Sequence, residues 1–150
     1  MALKGRLQED WKQALKAGDK FKATTLSTAR AAILLVEKTD GRKLDEDDEQ
    51  IIEILAKEVK QRREAILEFE KGNRQDLVEQ TEKEIEILLS YLPQQLTEEE
   101  IVEIVRQAID KTGASSIKDM GKIMAVVVPM TKGRADGKLV SDIVKRNLNK

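Results

Sequence analysis

Cysteine and histidine are both absent from this chain of 150 residues. Without cysteine there is no disulfide, no thiolate metal site and no thiol nucleophile, which suits a reducing cytoplasm. Without histidine the usual general base and the commonest metal ligand are gone. Aromatic residues make up only 3% of the sequence and proline occurs twice, whereas charged residues reach 37%. Strands prefer aromatic and β-branched side chains, so this balance favours long amphipathic helices. The longest apolar runs, residues 31–36 and 123–130, are too short to span a bilayer. The N-terminal Met1-Ala2-Leu3-Lys4-Gly5-Arg6 lacks the apolar region of a signal peptide. A cytoplasmic protein with no membrane partner is expected, long enough to bury a core without staples.

What is present is charge, unevenly placed. Residues 1–96 hold 17 basic and 20 acidic side chains, and residues 97–150 hold 10 and 8. Within the tail, residues 111–150 carry nine basic residues against Asp119, Asp136 and Asp142. A basic end on an acidic body points to a polyanionic partner.

Periodicity predicts seven helices. Leu3, Leu7, Trp11 and Leu15 recur every four residues in a first helix that Gly18 caps. Asp19 is the N-cap of a second carrying Leu26, Ala29, Ile33 and Val36, which Gly41 ends. The acidic run Asp45-Glu46-Asp47-Asp48-Glu49 opens a third, with Ile51, Ile52, Leu55, Val59, Ile66 and Phe69 apolar and Gly72 closing it. The fourth runs from about Arg74 to Tyr91 with Leu77, Ile85, Leu88 and Leu89 on its buried side, and Pro93 stops it. Pro93-Gln94-Gln95-Leu96 is the expected boundary between an N-terminal helical domain, 1–93, and a C-terminal three-helix domain, 97–150.

Thr97-Glu98-Glu99-Glu100 reads as a capping box for helix five, which holds Ile101, Ile104, Val105 and Ile109 and ends at Gly113. Ser116-Ile117-Lys118-Asp119 offers a second box, with Asp in place of Glu. Helix six follows, with Met120, Ile123, Met124, Val127 and Val128 at helical spacing and Pro129 expected to end or kink it. Gly133 and Gly137 bracket a turn, Asp136 is the next cap, and Leu139, Val140, Ile143, Val144 and Leu148 mark the last helix.

Candidate chemistry is sparse. The acidic run lacks the spacing and central glycine of a calcium loop, and acid at a helix start complements the macrodipole. No metal or cofactor is expected. Lys57, Lys60, Arg62 and Arg63 form a basic patch, with Glu53, Glu58 and Glu64 close enough for ion pairing on a solvated face. Lys118, Lys122, Lys132, Arg134, Lys138, Lys145 and Arg146 form a second basic set. There, Gly133 and Gly137 have two readings of equal weight: ordinary caps, or backbone that lets a phosphate approach. Gly121 inside helix six costs roughly 1 kcal/mol against alanine, which implies close packing of another helix or close approach of a ligand, the former expected. No serine has a histidine to activate it, and no phosphate-binding loop of the Gly-x-x-x-x-Gly-Lys kind exists. No catalytic residue is assigned.

Five blocks stand in order: Lys60-Gln61-Arg62-Arg63, Gly72-Asn73-Arg74-Gln75-Asp76-Leu77, Tyr91-Leu92-Pro93-Gln94-Gln95-Leu96, Asp119-Met120-Gly121-Lys122 and Gly133-Arg134-Ala135-Asp136-Gly137. Together they resemble the YqeY family, small bacterial cytosolic proteins similar to the tail of the GatB subunit of the tRNA-dependent amidotransferase. The resemblance implies an all-α protein, a helical bundle of about four helices and then a compact three-helix domain. It also implies contact with tRNA during amidation of mischarged Glu-tRNA or Asp-tRNA, with Lys122, Arg134 and Lys138 as contact candidates. Other amidotransferase components or an aminoacyl-tRNA synthetase are the protein partners it suggests. The family's carbon–nitrogen ligase label, with glutamine as amide donor, belongs to the full complex, whose kinase-like and amidase sites have no counterpart here. Binding would be electrostatic and shape-directed, because Trp11, Phe21, Phe69 and Tyr91 all lie outside the tail. The rival reading is a protein-binding adaptor using the acidic helices or an apolar groove near Met120 and Met124.

Overall fold

The computed structural model describes residues 2–149. Among them the chain is all-α: α1 (Leu3–Lys16), α2 (Lys20–Asp40), α3 (Asp48–Lys71), α4 (Gln75–Leu89), α5 (Glu98–Thr112), α6 (Met120–Thr131) and α7 (Gly137–Leu148). A single 3-10 turn, Ile117–Asp119, precedes α6. The chain forms two compact units, one up to Leu92 and one from Pro93 onward.

Short polar side chains start several helices. Asp19 accepts the Lys22 N–H at 3.1 Å, Asp47 accepts that of Gln50 at 3.0 Å, and Thr97 and Glu100 complete both halves of a capping box. Each such cap contributes about 1 kcal/mol. α2 stops at Gly41, whose φ of 66° is open to a residue without a Cβ.

In the first unit α1 packs on α2 and α3 on α4, with α2 touching both of the latter. Leu7, Leu26, Ile33, Ile51, Leu55 and Leu88 are its fully buried centre. Leu15 is not part of it: the side chain is 53% exposed and Ala14 is buried instead. Four residues turn a helix by roughly 400°, so a ladder of fours drifts about 40° per step and leaves the core face by its fourth rung. α4 ends at Leu89, short of the expected Tyr91; after Ser90, whose N–H still reaches Glu86, the next two N–H groups reach back only three residues, Tyr91 to Leu88 and Leu92 to Leu89. That tightened turn carries the Tyr91 ring into the core, 4% exposed.

The acidic run does more than complement the α3 dipole. Asp48 accepts the Leu3 N–H at 3.0 Å, Asp45 pairs with Lys4 at 2.5 Å, and Asp47 pairs with Arg42 at 2.7 Å. Three of its five carboxylates therefore tie α1 and the α2–α3 loop to the start of α3.

In the second unit α5, α6 and α7 all pack on one another around Ile101, Val105, Ile123, Val127, Ile143 and Val144. Two local expectations fail there. Of the two expectations for Pro129, the helix end is overturned, since α6 runs on to Thr131. Proline's fixed φ is helical, and the one acceptor it deprives, the Ala125 carbonyl, belongs to an exposed residue that water can serve. The Ser116 box is shifted as well: Ser116 accepts the Lys118 N–H at 3.3 Å, and Asp119 accepts the Ser115 N–H at 3.0 Å. Aspartate is one methylene shorter than glutamate, and the 3-10 turn places the Ser115 amide within its reach.

Candidate nucleic-acid interface

The α6–α7 turn is built by the strand of chain that follows Pro93. Gln95 donates its Nε2 to the Gly133 carbonyl at 2.8 Å, and the Leu96 N–H donates to the Arg134 carbonyl at the same distance. Gly133 is buried with φ 74°, a conformation that L side chains rarely adopt. Its role in the turn is backbone geometry. Arg134 is half-buried and donates Nε to the Gln94 carbonyl at 3.4 Å. The Glu100 carboxyl is held below its usual range by the Thr97 N–H and hydroxyl, with the Arg134 charge adding to both.

Lys138 stands exposed in the first turn of α7 and forms no ion pair with a described residue. Seven residues on, Lys145 is exposed on the same helix face, roughly 10 Å along the axis. Asp136 occupies the N-cap position of α7, but its side chain makes no capping bond, contrary to expectation. Arg146 is spent on Glu98 of α5 at 3.0 Å, between half-exposed side chains.

Lys118 and Lys122 belong to the other end of α6. From Lys122 to Thr131 the helix rises roughly 14 Å, so the fold does not bring these two lysines to the Lys132–Arg134–Lys138 turn. Lys122 lies 3.9 Å from Asp119 and is 72% exposed. Asp119 is committed elsewhere, its carboxyl lowered first by the Ser115 N–H. Beside Lys122, Gly121 is exposed, and a Cβ built on it meets nothing within 4 Å. The expected close packing of a helix there is overturned: no steric demand of the fold explains the glycine.

Met120 and Met124 are half-buried against the second unit's core. The exposed apolar side chains nearby are Ile117, Val128 and Met130. α5 presents the acidic face, Glu98, Glu99 and Glu103 with Arg106. In the first unit the Lys57–Arg63 patch is partly structural. Arg62, 13% exposed, is shared between Glu58 at 3.1 Å and Glu84 of α4 at 3.2 Å. Sequence reasoning found the first partner and missed the second, which only tertiary packing supplies.

Tyr91 of the Tyr-Leu-Pro block donates its hydroxyl to Asp10 at 2.5 Å, and the Arg6 guanidinium lies 4.6 Å from its ring centre. Burial, then the Asp10 bond, pushes the phenol well above its ordinary pKa. Glu37 was also missed. It is 5% exposed on the core face of α2, where its Oε2 takes both the Lys4 ammonium and the Leu44 N–H at 2.7 Å. Those two bonds, in that order, hold its carboxyl below the usual range against the opposing effect of burial. The signal was available: position 37 continues the Leu26–Ile33 stripe, and a charge on an apolar stripe calls for a partner.

Among the described residues no three His, Cys, Asp or Glu side chains group as a metal site, and no helix is long and apolar enough to cross a membrane. What remains is an all-α chain whose second unit displays Lys118 and Lys122 beside an exposed helical glycine at one end of α6, and Lys132, Arg134 and Lys138 at the other. The Yqey-like protein family model matches residues 4–148, and the chain belongs to that family. It is also similar to the GatE subunit of glutamyl-tRNA(Gln) amidotransferase from Thermococcus gammatolerans, 40% identical over 60 residues, which is 40% of this chain and 10% of that protein. The chain thus spans only a small part of the length of the curated relative it matches.

Proposed function

We propose that this protein is a cytoplasmic tRNA-binding accessory module, linked to the amidation of mischarged aminoacyl-tRNA and carrying no catalytic site of its own. The observation that carries the reading is the 40% identity to part of an amidotransferase named for glutamyl-tRNA(Gln). The contact domain is 97–150, the part that resembles the tail of the GatB subunit. Lys118, Lys138 and Lys145 are exposed with no ion pair to a described residue, which supports their availability to phosphate. Exposed pairs such as Lys122–Asp119 and Arg146–Glu98 are worth about 0–1 kcal/mol, so phosphate competes for those cations with little loss. Gly121 adds a place where a phosphate backbone comes close to the helix without meeting a Cβ.

Lys122, Arg134 and Lys138 remain the contact trio, with Lys132, Lys145 and Arg146 alongside. The test is capture of partners by the full chain with and without nuclease, beside direct titration with tRNA. Nuclease-sensitive capture and saturable tRNA binding are expected. Partners that survive nuclease, with no tRNA binding, would establish the protein-binding adaptor instead. Glutamine-dependent amide transfer by the isolated chain would contradict the absence of a catalytic site.

A further inference from the structure

The first unit contains a cavity of about 380 Å³, formed by α1, α2 and the α2–α3 loop, that no part of the tRNA reading uses. Lys4, Gln8, Ser27, Arg30, Leu34 and Lys43 line it. Its volume lies within the range of small-molecule sites, roughly 300–1,000 Å³. Three of these six side chains are cations, in a unit whose sequence is acidic overall.

Arg30 is the informative one. Its guanidinium carbon lies 4.3 Å from the centre of the Trp11 ring, a cation–π contact that holds the group beside the indole. Yet it makes no hydrogen bond or ion pair with any described residue. A half-buried guanidinium held against a ring with its N–H groups unspent is suited to take an oxyanion in bidentate fashion. Lys43 supplies a second, exposed positive charge across the cavity. Gln8 and Ser27 add neutral hydrogen-bonding groups, and Leu34, 46% exposed, adds an apolar wall.

The opposing charges are already committed. Glu37, also at the cavity, is 5% exposed and spends one oxygen on Lys4 and Leu44. Asp45 pairs with Lys4 from the loop. Lys4 is therefore neutralised twice over, and Lys43 bears on the Glu37 and Asp45 carboxylates without bonding to either, so Arg30 is the cation of the lining with no carboxylate beside it among the described residues. We propose that this cavity binds a small molecule that joins an oxyanion, phosphate or carboxylate, to a short apolar body, with Arg30 as the fork, Lys43 as the second cation and Leu34 against the apolar part.

The experiment is isothermal titration of the full chain at low ionic strength with phenyl phosphate, phenylacetate and inorganic phosphate. Trp11, the single tryptophan of the sequence, reports in parallel by its fluorescence. One-site saturable binding of phenyl phosphate or phenylacetate, tighter than inorganic phosphate, is expected; whichever aromatic anion binds tighter identifies the headgroup. Arg30→Gln should weaken it by about tenfold or more, the scale of a charge-assisted bidentate contact. Lys43→Gln, at an exposed position, should weaken it less, and it carries the test if Arg30→Gln lowers helix content by circular dichroism. Lys71→Gln, which removes the same charge from the far end of α3, should leave binding unchanged. Absence of saturable binding by both aromatic anions overturns the proposal, as does equal weakening by Lys71→Gln. So does Arg30-dependent quenching of Trp11 by tRNA without any by the small anions, which would make the cavity an RNA contact.

Discussion

The two units use charge in opposite ways. In the first, ionic and polar groups hold the fold from within: Glu37 joins Lys4 to the Leu44 amide, Arg62 joins α3 to α4, and Tyr91 joins the end of α4 to Asp10 of α1. In the second, the buried centre is aliphatic, with Thr131 its one buried polar side chain among the described residues, and that hydroxyl donates to the Val127 carbonyl of its own helix. Several cations of the second unit stay outside: Lys122 and Arg146 in exposed pairs, Lys118, Lys138 and Lys145 exposed with no ion pair to a described residue, while Arg134 is half-buried and donates to the Gln94 carbonyl. A charge that the fold uses is not available to a ligand, and a charge it leaves outside is. The contrast explains why an acidic, densely ion-paired unit and a basic, loosely paired one lie in a single chain of net charge −1.

The sharpest way to break this contrast is to remove a charge from each unit. Glu37→Ala strands the Leu44 amide and takes one of two partners from Lys4, and should cost about 3 kcal/mol in chemical denaturation. Arg146→Ala, by contrast, should cost under about 1 kcal/mol. Comparable losses would erase the distinction.

Acid sharpens the same comparison. The Glu37 carboxyl is lowered in the folded state, so its contribution is present above the unfolded value of 4.5 and disappears as pH falls through the lower folded value. Stability should therefore fall below about pH 4.5 in the wild type, and Glu37→Gln should flatten that decline. Asp119 and Glu100 in the second unit shift in the same direction but bond to backbone N–H groups of exposed residues, Ser115 and Thr97, so their removal should move the acid limb less. Tyr91→Phe removes the bond to Asp10 while keeping the ring, and a loss of about 1 kcal/mol is expected by thermal or urea denaturation.

The smallest effect has the most specific sign. Gly121→Ala meets no steric obstacle, so it should stabilise the protein by up to about 1 kcal/mol. The same substitution should weaken tRNA binding, because it thickens the surface where the ligand backbone comes near. A variant both more stable and unchanged in binding would remove Gly121 from the interface.

Local chemistry made much of this fold legible. The caps at Asp19 and Thr97 and the stop at Gly41 each depend on a few neighbouring residues, and they stand where sequence placed them, while the acidic run opens α3 with Asp47 as its cap. Leu15 misled because a step of four is not the helical period, and Pro129 does not end α6, its lost bond falling on the carbonyl of Ala125, an exposed residue. Glu37, the second Arg62 partner and the stacked Arg30 were hidden for a different reason. Each depends on which helix lies alongside, information that spacing along one chain segment does not hold. For the candidate interface, the seven cations were visible in sequence, but which of them the fold consumes was not.

Salt dependence of tRNA binding by the full chain tests the central claim most directly. Each released phosphate contact contributes about 0.9 to the slope of log K against log salt by the duplex estimate. Reversing charge at Lys122, Arg134 and Lys138 together should flatten the wild-type slope by about 3 units. Equal slopes and equal affinities for the wild type and the triple variant would contradict it.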